Sequence, residues 1–368
     1  MKILFFGDVC PTDDYRKLFD DESGKSLFGD AIDLINDSDF TVCNFECPAT
    51  DSEKAIVKCG PTLKAKPQDV KMLKNAGVSA VSLANNHTLD YGVKGFTDTI
   101  NVLESEGVKY FGARLNGKET DRVVFEKDGE VVTVLSFAEE EFNYSKVDKT
   151  GAIQFDPYES LDKIAEAKKV GKVVVLYHGG IEYFRYPTPL LRKKCLKMVE
   201  KGADLVLCQH SHIIGTAEQV GEGFILYGQG NTVFGVRENS KTWNEGLAVT
   251  FDTEHGVYME LLHANKDGVK RATEMISKLK LDDIKKESDK INSEFIENEW
   301  QKFCNGKKAS YYPMLFGKGR IYNKLNRILK NKLVDKLIGK GKKKTTMNLI
   351  RCDAHREVVT TILEKEYK

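Results

Sequence analysis

Three times in this chain a glycine stands between an amphipathic segment and an apolar, β-branched run: Ala76-Gly77-Val78, Glu106-Gly107-Val108 and Lys201-Gly202-Ala203. Glycine in that place supplies the left-handed C-cap that ends a helix, so each triplet marks a helix handing over to a strand. Repeated over the first 265 residues, the step predicts a layered α/β architecture. Strands are expected at Lys2–Asp8, Phe40–Glu46, Ser79–Ala84, Lys109–Gly112, Val173–His178, Leu205–Gln209 and Phe224–Tyr227. Helices are expected at Asp30–Asn36, Pro67–Asn75, Val93–Glu106, Tyr158–Lys169 and Pro189–Lys201. Arg122–Ala138 and Leu247–His263 read as hairpins about Lys127-Asp128-Gly129-Glu130 and Glu254-His255-Gly256. Hairpins beside strand–helix units favour a two-sheet sandwich flanked by helices over a purely doubly wound sheet.

After about Lys266 the character changes, which places a boundary between a domain at 1–266 and a helical, basic extension at 267–368. Ala272–Trp300 is a charged helical pattern, and Lys302–Lys344 carries fourteen Lys and Arg against one acid, Asp335. Ile321, Leu325, Ile328, Leu329, Leu333, Leu337 and Ile338 recur there at helical spacing. This predicts a basic amphipathic helix over 321–344, able to make peripheral contact with an anionic membrane surface or an acidic partner. The net charge of +1 gives the whole chain no pull toward nucleic acid. No run of 18 apolar residues occurs, and the start MKILFFGDVCP lacks the pattern of a cleavable signal. Eight cysteines without a CxxC spacing read as reduced thiols. The expected location is therefore cytoplasmic, with the inner membrane face as a variant of it.

The chemistry lies in what ends the strands, since open α/β sheets place ligands at the carboxyl ends of their strands. Asp8 ends the first expected strand and Glu46 the second; Asn86 and His87 follow the third, His178 ends a later one, and His210 and His212 follow the next. A single strand-end Asp or Asn is ordinarily a turn or cap residue. Five successive strand ends that each deliver a metal-competent side chain are a different observation. Carboxylate, amide and imidazole together suit a divalent ion such as Mn, Zn or Fe, and two such ions form the usual clamp for a displacement.

The same residues carry a family resemblance. Gly7-Asp8, Asn44-Phe45-Glu46, the run Ala84-Asn85-Asn86-His87-Thr88-Leu89-Asp90-Tyr91-Gly92, His178-Gly179-Gly180-Ile181-Glu182-Tyr183, Gln209-His210-Ser211-His212 and Tyr227-Gly228-Gln229-Gly230-Asn231 follow one another in the order of the CapA (poly-γ-glutamate capsule) pattern over about 1–260. That family is similar to the calcineurin-like metallophosphoesterases, which implies their two-sheet sandwich and dinuclear metal site. By the resemblance, Asp8 and His212 bind one ion, Asn86, His178 and His210 the other, and Glu46 bridges them. His87 is then the general acid, held by Asp90. Asn44, Glu182 and Asn231 recur in the family motifs as residues that orient ligands or touch substrate. Cys10 stands where the superfamily has a metal-binding His, and Glu46 where it has Asp, which leaves the number of ions at one or two. Tyr183, Phe184 and Tyr186 are candidates for a pocket wall. The implied function is a metal-dependent hydrolase of a cell-surface polymer, cleaving a phosphoester or a γ-glutamyl amide. Its substrate would be an anionic polymer or a small molecule, with capsule-synthesis proteins as partners. A non-catalytic capsule-assembly factor and a nucleotide phosphodiesterase are the alternatives.

Overall fold

The computed structural model describes residues 1–240, 242–316, 319–329, 338–351, 355–356, 358–359 and 363. Its first compact unit is Met1–Glu297 and its second Asn298–Lys368.

The first unit opens with β1 (Lys2–Val9), followed after four short helical segments by β2 (Phe40–Phe45), helix Pro67–Asn75, β3 (Ala80–Ser82), helix Gly92–Glu106 and β4 (Lys109–Phe111). After the small strands β5 (Ala113–Leu115) and β6 (Lys118–Thr120), β7 (Arg122–Lys127) and β8 (Glu130–Ala138) form the first expected hairpin. The chain continues through β9 (Tyr144–Ser145), β10 (Thr150–Ala152), helix Glu159–Lys168, β11 (Lys172–His178), helix Pro189–Glu200, β12 (Leu205–Gln209), β13 (Ala217–Val220), β14 (Gly223–Leu226) and β15 (Asn231–Val233). It closes with β16 (Glu245–Asp252), β17 (Gly256–Asn265) and β18 (Gly268–Arg271). One large sheet has the order β18-β17-β16-β1-β2-β3-β4 with β15 also on β1, and the second has the order β13-β14-β12-β11-β8-β7. Strands β5, β6, β9 and β10 make a third, small sheet that the sequence did not announce.

Alternation along single strands shows how the layers stack. In β1, Ile3 and Phe5 enter the same buried cluster as Val174, Leu176, Leu205 and Leu207, the core between the two large sheets. Leu4 and Phe6 face the other way, onto Leu73, Phe96 and Leu103 of the flanking helices. In β11, Val173, Val175 and Tyr177 likewise meet Ile164, Cys195 and Met198. Both faces of each sheet are covered, which is why these strands read as continuous apolar runs. Burying one such Phe or Leu contributes about 1.5–3 kcal/mol, more than a typical exposed ion pair, so this interior sets the pairing. The result is a two-sheet sandwich flanked by helices. The three glycine steps behave as expected, with φ of 99° at Gly77, 69° at Gly107 and 115° at Gly202.

Two boundaries differ from expectation. The first unit does not end at 266: β18 pairs with β17 from Leu262↔Arg271 to Asn265↔Gly268, and helix Glu274–Ser288 buries Ile284 in the inter-sheet core. A charged helix at a sandwich edge needs only one apolar stripe, so its sequence resembled a tail. Beyond it, the single helix expected over 321–344 is not continuous. A helix spans Gly319–Ile328, the chain bends at Ile338, and another helix opens at Lys340; residues 330–337 lie outside the described residues.

Candidate metal centre

β1, β2 and β3 are parallel in one sheet, and β8, β11 and β12 are parallel in the other. Their carboxyl ends meet along one edge of the sandwich. Asp8 sits at a register shift in β1, paired on one side with Asn44 and on the other with Asn231. Gly7 makes that shift possible: a Cβ there would lie 2.3 Å from the Gly230 carbonyl oxygen. On the other sheet the turn after β12 holds His210 and His212 at φ of 90° and 55°. Positive φ at two non-glycine residues costs on the order of 1–3 kcal/mol each, and clusters where a site is held under constraint. The turn is tied down by Ser211, whose hydroxyl donates to the Ile213 carbonyl at 2.9 Å and whose carbonyl accepts from Tyr183 N–H at 3.0 Å.

The side chains then converge. Asn44 Nδ2 donates to Asp8 Oδ1 at 2.8 Å and to Glu46 Oε2 at 3.4 Å, and lies 3.2 Å from His178 Nδ1. His178 Nε2 is 3.0 Å from Asn86 Oδ1 and 3.5 Å from Glu46 Oε1. The His178 and His210 rings are 5.0 Å apart, and His210 and His212 6.1 Å. His212 Nδ1 lies 2.9 Å from Asn231 Oδ1 and 3.7 Å from Asp8 Oδ2. One ligand atom each from Glu46, His178 and His210 falls within 4.8 Å of the others. All six expected ligands (Asp8, Glu46, Asn86, His178, His210 and His212) are buried on this one edge, with Asn44 and Asn231 between them. Two of their atoms, Glu46 Oε1 and His210 Nδ1, are buried without a hydrogen-bond partner. Orphaned acceptors of this kind are costly unless something binds them.

The electrostatics point the same way. Burial pushes the Glu46 carboxyl well above the usual range, and the Asp8 charge beside it adds to the shift. Burial likewise raises Asp8, against the attraction of His212. Burial holds His178 well below an ordinary imidazole, lowers His210, and takes His212 down to about 4. The Asp8–His212 contact thus joins two groups whose charged forms burial disfavours. Burial penalises the charged forms of carboxyl and imidazole alike, a penalty that a bound cation would offset at the carboxyls. The donor set fits a divalent ion.

His87 and Asp90 lie beside this cluster, with His87 Nδ1 2.6 Å from Asp90 Oδ2. Sequence reasoning missed what holds Asp90. Lys58, whose side chain is 3% exposed, donates to Asp90 Oδ1 at 2.7 Å and to the Asn86 carbonyl at 3.2 Å. Leu63 N–H donates to Asp90 Oδ2 at 2.7 Å and Ile56 N–H to the Asp90 carbonyl at 2.9 Å. Asp90 therefore anchors the whole 56–63 strap across the site. Asn85, also missed, bridges Asn44 Oδ1 and the Phe45 carbonyl, and Glu141 accepts from Asn86 Nδ2 at 3.3 Å. The strap has no periodic signal, and Asn85, though it stands inside the Ala84–Gly92 motif, has no spacing that marks it as a bridge. Cys10 is buried against Cys47, whose thiol is pushed well up by burial and by the Cys10 thiol. Glu182 is exposed on the turn after β11, and its charge reaches Glu46. The Tyr183 ring lies 6.5 Å from the His212 ring, whereas Phe184 packs edge to face on Tyr186, and Tyr186 on Phe295. A groove of about 500 Å³ lies at the opposite, amino-terminal end of β11, lined by Lys172 and Asp204. Asp204 is already paired there with Lys168 and Lys172, so the chemistry is at the other edge.

The family model for the bacterial capsule synthesis protein PGA_cap matches residues 2–236, a span that contains every residue of this cluster. The chain belongs to this family. It is 30% identical over 246 residues to the capsule biosynthesis protein CapA of Bacillus anthracis, covering 64% of this chain and 60% of that protein. To the PGA biosynthesis protein CapA of Bacillus subtilis it is 28% identical over 241 residues, 62% of each. The chain thus spans about three fifths of the length of these curated PGA_cap relatives. Among solved structures, a phosphatase of Mycoplasma pneumoniae aligns with a TM-score of 0.44 and 11% identity, over 74% of this chain and 93% of that one. No helix among the described residues of this family member is long and apolar enough to cross a membrane.

Proposed function

We propose that this PGA_cap protein is a metal-dependent hydrolase acting on a phosphoester or γ-glutamyl amide in the making of a cell-surface polymer. The observation that carries the reading is the Glu46–His178–His210 group, in which two buried ligand atoms have no hydrogen-bond partner. Asn86, His178, His210 and Glu46 would hold one ion, and Asp8 and His212, sharing Glu46, a second, of the Mn, Zn or Fe class. A divalent ion bound there supplies Lewis acidity and a bound water of lowered pKa.

The chain's own residues do the rest. Asn44 fixes Asp8 and Glu46 from one amide, which sets the spacing of the two carboxyl groups. Asp90 accepts at His87 Nδ1, which leaves His87 Nε2 as the nitrogen able to give a proton to a leaving group. Lys58 and Leu63 hold Asp90 in place. The test is metal analysis of the purified chain together with a phosphoesterase and γ-glutamyl amidase panel. We expect about one to two equivalents of metal and turnover in one arm of the panel. His87→Ala should lower that turnover roughly 10²–10⁴-fold with metal content unchanged. Full metal occupancy without turnover of any panel member would replace this reading with a non-catalytic assembly factor.

A further inference from the structure

The first unit contains seven arginines, and six of them (Arg16, Arg114, Arg122, Arg185, Arg192 and Arg271) pair with a carboxylate. Arg237 does not: among the described residues no carboxylate lies within ion-pair distance of it. Its guanidinium carbon instead sits over the Trp243 ring, 3.3 Å from the ring centre, the contact by which a guanidinium stacks on an aromatic face. Trp243 is itself buried and lies 4.8 Å from His212. Arg237 Nη1 donates to the Tyr183 hydroxyl at 3.0 Å, and the Tyr183 ring stacks on Trp243 at 6.1 Å and 27°.

The arrangement is built rather than incidental. Asn244 grips the Arg237 main chain from both sides, its Oδ1 accepting from Arg237 N–H at 3.0 Å and its Nδ2 donating to the Arg237 carbonyl at 2.8 Å. The Trp243 indole N–H reaches the Phe234 and Gly235 carbonyls at 3.2 and 3.0 Å. Tyr183 holds a φ of 61°, unusual for a bulky residue, while its N–H is tied to Ser211 between the two histidines. A conformation of this kind persists only where its surroundings impose it.

We propose that Arg237, stacked on Trp243 and steered by Tyr183, is a subsite for an anionic oxygen group of the substrate, carboxylate or phosphoryl, beside the His212 side of the metal cluster. The proposal rests on the hydrolase reading for the word substrate, and adds to it the charge class of the group next to the scissile bond. A guanidinium has five donors in a fixed fork, and Tyr183 takes one, so a bidentate grip on an anion remains. The stack on Trp243 holds that fork in position before the ligand arrives, which removes an ordering cost from binding.

The chain has two tryptophans, so in the full-length Trp300→Phe protein Trp243 alone reports on the subsite by fluorescence. Titrations with glutarate, inorganic phosphate and uncharged glutaramide would be run on this protein and on the same protein carrying Arg237→Gln. We expect Arg237→Gln to weaken glutarate, phosphate or both by about tenfold or more, with metal content and melting temperature unchanged. Arg237→Lys should recover only part of the loss, because an ammonium lacks the fork. Tyr183→Phe, a milder variant, should cost about threefold. Which anion loses affinity identifies the group the subsite takes. Equal affinities with and without the Arg237 guanidinium, glutaramide binding as tightly as glutarate, or no binding of either anion at millimolar concentration, would each overturn the proposal. Because binding is read without turnover, a protein that holds anions through Arg237 and hydrolyses nothing would sink the hydrolase reading and leave the subsite standing.

Discussion

At the scale of single residues, Lys58 shows how far the centre depends on groups outside its ligand set. Lys58 and Asp90 are both almost fully buried, and the ammonium also touches the Asn86 carbonyl. Removing one member of a buried ion pair strands the other, a loss that runs to about 3–5 kcal/mol. Lys58→Met should fall at the low end, about 3 kcal/mol, because Leu63 N–H and His87 still bond the Asp90 carboxylate. Adding Asp90→Asn to Lys58→Met should restore a large part of the loss, since no charge is then left unpaired. Urea unfolding of the two single variants and the double one measures this coupling. A loss below about 1 kcal/mol for Lys58→Met would mean that the strap is held by its backbone bonds alone.

At the scale of elements, the ligands are positioned by close backbone approach between strands. Gly7 faces the Gly230 carbonyl, and Gly246 brings a would-be Cβ to 2.1 Å from the Asn231 carbonyl. Gly7→Ala should therefore force β1 and β15 apart, at about 1–3 kcal/mol, and carry Asp8 away from Asn44 and His212. The variant should lose bound metal as well as melting temperature, whereas an alanine at Gly129, with nothing within 4 Å of its Cβ, should leave metal content alone. Retained metal in Gly7→Ala would show that the centre does not need this register. The strands that carry the ligands were legible because both their faces are apolar, and the ligands were legible because they end those strands. The strap with Lys58 and the 234–244 loop with Arg237 and Trp243 were not, since their contacts are set by tertiary pairing and leave no period in the sequence. The same holds for the edge strand Gly268–Arg271, where four residues are too few for an alternation to speak and the boundary was set too early.

At the scale of the whole molecule, the overall charge of +1 conceals a division. Asn298–Lys368 holds 18 Lys and Arg against 6 Asp and Glu, which leaves 38 against 49 in Met1–Glu297: a net +12 beside a net −11. The basic unit also exposes apolar side chains at helical spacing. In Gly319–Ile328 and the residue after it these are Leu325, Ile328 and Leu329, beside exposed Lys324 and Arg327; in Lys340–Arg351 they are Met347 and Ile350, after Lys342, Lys343 and Lys344. Each Lys or Arg near an anionic leaflet is worth about 1 kcal/mol, and exposed apolar groups at that depth add to it. We therefore expect the full chain to sediment with vesicles containing anionic lipid at low salt, and to be released by about 0.5 M salt, where the Debye length falls to a few ångströms. Reversing Lys342, Lys343 and Lys344 to Glu should weaken binding in the full chain, while Leu325→Asp should weaken it at every salt concentration. Binding that is equal for neutral and anionic vesicles, or absent from both, would assign the positive unit to an acidic protein surface instead, because a charge excess of this size can be neutralised by carboxylates as well as by lipid headgroups.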